Sequence, residues 1–201
     1  MTTKLNQTPS QTVGPYFAYG LTPTQYGYDL KSLFTPVLAQ PHAKGEHIRI
    51  TGQVFDGAGK PILDAMVEIS QPDASGKPVL TLADAEASGF TGFGRCGTGT
   101  DAQNFYEFKT VKPGVAANIG GKGQAPFINV CVTMRGLLVH AFTRIYFDDE
   151  AAAKAQDAVL MSVPAERRAT LVAKRQMLAG GVVYRFDICM QGEAETVFFD
   201  L

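Results

Sequence analysis

The chain has 201 residues, 45% of them hydrophobic and 18% charged, with a formal net charge of -1. That length supports one domain with a real core, and without a basic stripe the charge balance argues against a nucleic-acid binder. There is no run of about 18 apolar residues to span a membrane, and the opening MTTKLNQTPSQTVG lacks the apolar segment of a secretory signal, so a cytoplasmic location is expected.

The charged fraction lies below the roughly 25% usual in globular chains. Burial of part of the surface against another subunit would produce this, and so would a large loop content.

Residues 1 to about 46 carry many Pro, Gly, Thr and Tyr and little periodicity. Pro9, Pro15, Pro23 and Pro36 forbid a continuous helix. The segment reads as an extended arm, ordered by whatever it lies against. From His47 the pattern turns to period 2, with Ile48, Ile50 and Val54 alternating with polar residues, which predicts a half-buried strand. Asp56 to Lys60 supplies a turn, and a second strand puts Ala65, Val67 and Ile69 on one face. Residues 71 to 104 read as a long Gly-rich loop. Further strands are predicted over Phe105 to Val111, Phe127 to Met134 and Leu137 to Phe147.

Asp149 to Met177 is the one helical stretch, with Asp148, Asp149 and Glu150 at its start, where the helix dipole favours negative charge. Pro164 is expected to open a second short helix, and Gly180-Gly181 to end the helical part. Val182 to Met190 and Thr196 to Phe199 close the chain as strands. Many short strands with few helices predict an all-β chain, a β-sandwich of mainly antiparallel strands with an N-terminal arm and a short helical segment near 149–177.

The chemistry-bearing motifs are weak. Gly92 to Gly97 fits GxGxxG but follows no clear strand and opens no helix, so it reads as a flexible loop. Asn6-Gln7-Thr8 matches a glycosylation sequon by chance. His42, His47 and His140 are not at metal-ligand spacing, and His140 reads as a structural histidine beside Leu138 and Phe142. No GxSxG elbow is present. Cys96, Cys131 and Cys189 form no CxxC pair; Cys131 and Cys189 read as small buried hydrophobes. From its residues alone, the chain is a β-sandwich without a complete active site.

Several segments carry a resemblance. Thr8-Pro9-Ser10-Gln11-Thr12-Val13-Gly14-Pro15-Tyr16, Ile50 to Val54 with the turn Gly57 to Pro61, Tyr106 to Gly114, Thr143 to Phe147 and Tyr184 to Ile188 occur in order over nearly the whole chain. Together they resemble the intradiol ring-cleaving dioxygenase family. In iron-bearing members, two Tyr and two His hold Fe(III). One Tyr follows the Pro-Gly pair, where this chain has Ala116 after Pro113-Gly114-Val115. The histidines lie in R-P-x-H-I-H, where Phe127 and Asn129 stand here and Gln124 replaces the Arg. The other Tyr position falls on Pro78. None of these side chains is a plausible iron(III) ligand.

The resemblance therefore implies no metal and no catalytic residue on this chain. It implies an alpha-type subunit whose beta-type partner supplies Fe(III), in repeated alpha-beta units. That partner would open 3,4-dihydroxybenzoate with O2 to 3-carboxy-cis,cis-muconate. Residues 1–46 would form an arm packed on the partner, ahead of one sandwich domain over 47–201. Carried over by position, Thr12, Gly14, Pro15, Tyr16 and Arg135 would line the partner's substrate pocket. Gly14 permits close backbone approach to a flat ring, Pro15 offers a rigid apolar wall, and Arg135 favours a carboxylate by charge. Arg135 also reads as an ordinary turn residue, and Tyr16 as interface packing. Two other readings stand beside this one. A stand-alone intradiol catechol dioxygenase would need ligands that the chain does not offer, and a non-enzymatic β-sandwich carrier would not need the TPSQT arm.

Overall fold

The computed structural model of the chain describes residues 19–116 and 124–200. Eight strands form one path in the order β3 (Phe93–Gly97), β2 (Met66–Ser70), β5 (Phe127–Thr133), β6 (Ala141–Phe147), β7 (Val172–Leu178), β8 (Gly181–Arg185), β1 (His47–Phe55) and β4 (Phe105–Val111), and a ninth, β9 (Ile188–Cys189), pairs with β1. The path folds over on itself. β3, β2, β5 and β6 form one layer, and β7, β8, β1 and β4 the other. The fold is the expected sandwich, joined through two parallel pairs, Tyr146 with Val172 and Phe147 with Ala173.

β1 (His47–Phe55) is the strand the periodicity predicted. Its Ile48, Ile50 and Val54 are buried, as are Val67 and Ile69 of β2 (Met66–Ser70) from the facing layer. Ile128, Val130 and Val132 of β5 (Phe127–Thr133) and Tyr106 and Phe108 of β4 (Phe105–Val111) complete the interior. Each such side chain contributes about 1.5–3 kcal/mol of hydrophobic stabilisation. Most neighbours are antiparallel, while β1–β8, β1–β9 and β6–β7 run parallel. Between β1 and β2, Asp56 Oδ1 accepts from the amides of Ala58 and Lys60, which makes the expected turn.

Gly52 of β1 has a specific reason. A Cβ there would lie 1.7 Å from the Phe186 carbonyl oxygen and 2.8 Å from the Tyr106 hydroxyl, which itself donates to that carbonyl.

Several expectations change. The 71–104 segment is not one loop. It contains α1 (Leu82–Ser88) and β3 (Phe93–Gly97). α1 buries none of its residues, so it has no apolar stripe to read; Thr81 caps it by accepting from the Asp84 amide. Of the GxGxxG residues, Phe93 to Gly97 form β3 and not a flexible loop. Gly94 is there because a Cβ would lie 2.3 Å from Leu38 Cδ1.

The strand expected from Leu137 begins later, as β6 (Ala141–Phe147). Gly136 at φ 83 turns the chain first, and Leu138, Val139 and His140 are exposed in the connection.

The helical stretch ends early. α2 (Ala151–Lys154), α3 (Ala158–Ser162) and a 3-10 turn (Ala165–Leu171), before which Pro164 stands, give way to β7 (Val172–Leu178). Helix-compatible residues are drawn into a hairpin with β8 (Gly181–Arg185), and Leu178 opposite Gly181 leaves 179–180 as its turn. The chain closes with β9 (Ile188–Cys189) and a single bridge, Phe142 to Phe199, where a longer strand is predicted over 196–199.

The cysteines also differ from expectation. Cys96 is buried, whereas Cys131 and Cys189 are only partly covered. Cys131 points to the outer face of its sheet, and burial pushes its thiol up to about 11, with Glu68 adding to the shift.

Candidate functional site

The residues assigned to the vacated metal positions gather around the outer face of β5 and the segment before it. Phe127 and Asn129 are two apart on one strand, so both side chains leave by the same face. Register sets Tyr146 of β6 opposite Phe127 and Arg144 opposite Asn129. Ala116 packs with Phe127, Tyr146, Leu160 and Val163 in a small second core beneath α3. Pro78 is exposed just after the turn 73–77. That turn abuts the segment that carries Ala116: a Cβ on Gly76 would lie 1.9 Å from the Val115 carbonyl oxygen. Three positions thus share one corner, and Pro78 borders it from the next turn.

The donor chemistry of this corner does not fit a ferric ion. Pro78, Ala116 and Phe127 have no side-chain lone pair to give. The one candidate, the Asn129 amide oxygen, accepts from Arg144 Nε at 3.2 Å. The Arg144 guanidinium also lies over the Phe127 ring, 4.0 Å from its centroid. A positive charge therefore sits beside both Phe127 and Asn129. Among the described residues, no three of His, Cys, Asp and Glu come together as a metal group.

The floor of the corner is tied by Asp157, which no sequence signal singled out. This fully buried carboxylate accepts from the Ala125 amide at 2.9 Å, the Leu160 amide at 2.8 Å and the Tyr146 hydroxyl at 3.1 Å. Burial pushes the Tyr146 hydroxyl up to about 12, and the Asp157 charge adds to the rise. Tyr146 is thus a neutral donor at any physiological pH. Asp157 is the N-cap of α3, a role hidden in the sequence because the whole stretch 149–177 reads as one helix.

Thr12, Gly14, Pro15 and Tyr16 lie outside the described residues. Arg135 stands in the β5–β6 connection, exposed, with Nε 2.9 Å from Asp64 Oδ2. His140 stacks edge-on against Phe142, with ring centroids 4.3 Å apart. The outer sheet face next to Asn129 carries a cleft of about 420 Å³ lined by Leu21, Met66, Ile69, Phe93, Asn129 and Phe142. Arg144 is a residue of this corner that sequence reasoning passed over. Its signal is the cross-strand register, which a single sequence does not reveal.

The Dioxygenase family model matches residues 13–192. The chain belongs to that family.

Its relatives refine this. It is 64% identical over 201 residues to the protocatechuate 3,4-dioxygenase alpha chain of Burkholderia cepacia, covering 99% of this chain and 100% of the relative. It is 45% identical to the protocatechuate 3,4-dioxygenase alpha chain of Pseudomonas putida over 200 residues, 98% of this chain and 97% of the relative. The protocatechuate 3,4-dioxygenase beta chain of Burkholderia cepacia matches at 29% over 161 residues, 76% of this chain and 67% of that one. Similarity thus falls on the alpha side, and this chain is an alpha-type dioxygenase subunit. Among solved structures, the dioxygenase domain of a carbohydrate-binding fusion from Streptomyces sp. SirexAA-E superposes with a TM-score of 0.62 at 21% identity, covering 96% of this chain and 100% of that one. At that identity the likeness establishes the shared β-sandwich fold.

Proposed function

We propose that this chain is the non-iron-binding alpha subunit of a protocatechuate 3,4-dioxygenase of aromatic catabolism in the cytoplasm. A beta subunit holds Fe(III) and cleaves 3,4-dihydroxybenzoate between its hydroxyls with O2, in the β-ketoadipate route. The observation that carries the reading is the ligand set: Pro78, Ala116 and Phe127 offer no donor, and the Asn129 amide is engaged by Arg144. Identity to the alpha chains over nearly the full length supports it. The weaker likeness to a beta chain supports a pair of related sandwiches, repeated as alpha-beta units.

In this reading the chain contributes shape and charge, not redox chemistry. Residues 1–46 form the arm ahead of the sandwich domain over 47–201; it is laid on the partner before the point where Leu38, Ala39 and Ala43 enter this chain's own core. Thr12, Gly14, Pro15 and Tyr16 border the partner's cavity with backbone and ring surfaces. Arg135 turns its guanidinium to the substrate carboxylate, exchanging or sharing Asp64. No helix among the described residues is long and apolar enough to cross a membrane, which is compatible with the cytoplasmic assignment.

Co-expression tests the proposal. A tagged copy of this chain should retain a beta-type chain in equal amounts through purification, and the pair should convert 3,4-dihydroxybenzoate. A chain that purifies alone, and leaves the beta-type chain's activity the same with or without it, contradicts the proposal.

A further inference from the structure

In the corner where the resemblance removes a metal, the structure supplies another cation. Arg144 reaches Asn129 Oδ1 with Nε at 3.2 Å and lays its guanidinium carbon 4.0 Å from the centre of the Phe127 ring. These are the two residues at the vacated histidine positions. Each presents electron density to the guanidinium: a ring face from Phe127 and an amide lone pair from Asn129. Among the described residues no carboxylate forms an ion pair with Arg144; Asp157 is linked to it only through the Tyr146 hydroxyl. The nearest buried carboxylate, Asp157, spends its oxygens on Ala125, Leu160 and Tyr146. The strand register, Asn129 opposite Arg144, fixes the arrangement through the backbone and not through side-chain rotamers alone.

We infer that the Arg144 guanidinium takes the place of the metal cation in this chain, so that the corner is closed to metal by positive charge as well as by ligand loss. The inference rests on the assignment of Phe127 and Asn129 to the vacated positions. Its consequence is that restoring ligands is not sufficient. A like charge within a few ångströms disfavours a second cation strongly in a partly buried setting. Arg144 also ties β6 to β5 across their outer face, through its hydrogen bond to Asn129.

The test separates charge from ligand supply. Phe127→His together with Asn129→His places two imidazoles on one strand face, a pair that suits Ni(II). Ni(II) binding is measured by titration calorimetry on this double variant with Arg144 kept, with Arg144→Gln added, and with Arg144→Lys added; Arg144→Gln alone is the blank. Binding should be at least about tenfold tighter with Arg144→Gln than with Arg144 kept. Arg144→Lys, which keeps the charge, should exclude the ion as Arg144 does. If Arg144→Gln does not fold, Arg144→Met, which preserves an apolar stem over the Phe127 ring, carries the same comparison. Equal affinity with and without Arg144 overturns the inference, and so does binding in neither background. Failure of the subunit reading appears elsewhere, as iron and activity in the unaltered isolated chain.

Discussion

Gln25 pairs with Gly97 as a neighbouring strand residue would. The Gly97 amide donates to Gln25 Oε1 at 2.8 Å, and Gln25 Nε2 donates back to the Gly97 carbonyl at 2.7 Å. Nε2 also reaches Thr100 Oγ1 at 2.8 Å. β3 is the end of the sheet path, and one side chain from the N-terminal segment blunts part of its open edge. Gln25→Ala should therefore cost about 1–2 kcal/mol, as two partners lose their hydrogen bonds. Amide hydrogen exchange at Gly97 should speed up while β5 stays protected. Unchanged exchange at Gly97 would show that the contact does not hold the edge.

Gly52 is the position least able to accept a side chain. Its Cβ would lie 1.7 Å from the Phe186 carbonyl oxygen, in the middle of β1, between two strands. Gly52→Ala should lower stability by about 3 kcal/mol or prevent folding. Thermal melts check this. A Tm within a few degrees of the parent would mean that the strands separate there without cost.

Acid sensitivity should centre on Asp149. Burial alone would raise its carboxyl, but hydrogen bonds from Lys112 Nζ and the Tyr184 hydroxyl, each at 2.9 Å, together with the Lys112 charge, outweigh it and hold the group below its usual value. A lowered folded value means that the stability it contributes is fully present above the unfolded value of about 3.9 and is lost as pH falls through the folded one. Asp149→Asn should flatten the stability profile below about pH 4, with a smaller effect at pH 7 than truncating Lys112. Melts from pH 2.5 to 7 would reveal a profile unchanged by the substitution if the network is unimportant.

Gly14→Val addresses the arm. In the assembled alpha-beta enzyme it should raise KM for 3,4-dihydroxybenzoate by at least about tenfold, since an added isopropyl group narrows an apolar wall. Iron content of the complex should not change. Steady-state kinetics equal to the parent would remove the arm from the pocket.

Much of this fold was legible where one physical rule acts alone. β1, β4 and β5 follow from alternation, and the turn at Asp56 from its side chain. Legibility failed where tertiary contacts override local preference. Residues 172–178 read as helix, yet β8 claims them as a strand. Gly94 and Gly97 hid β3 because their small size serves the packing of Leu38 and Tyr26 across the strand. α1 hid because it buries nothing. At the candidate site, the resemblance assigned the missing ligands, but Arg144 and Asp157 emerged only from register and burial. Both act through residues distant in sequence, Asn129 and Tyr146.

The most direct measurement is iron per chain, by metal analysis and visible absorption, on this protein purified alone and then with its beta-type partner, alongside ring-cleaving activity. The account predicts a colourless, iron-free, inactive isolated chain and a coloured, iron-loaded, active complex. An equivalent of iron with activity in the isolated chain would contradict it, and would place the metal ligands somewhere other than Pro78, Ala116, Phe127 and Asn129.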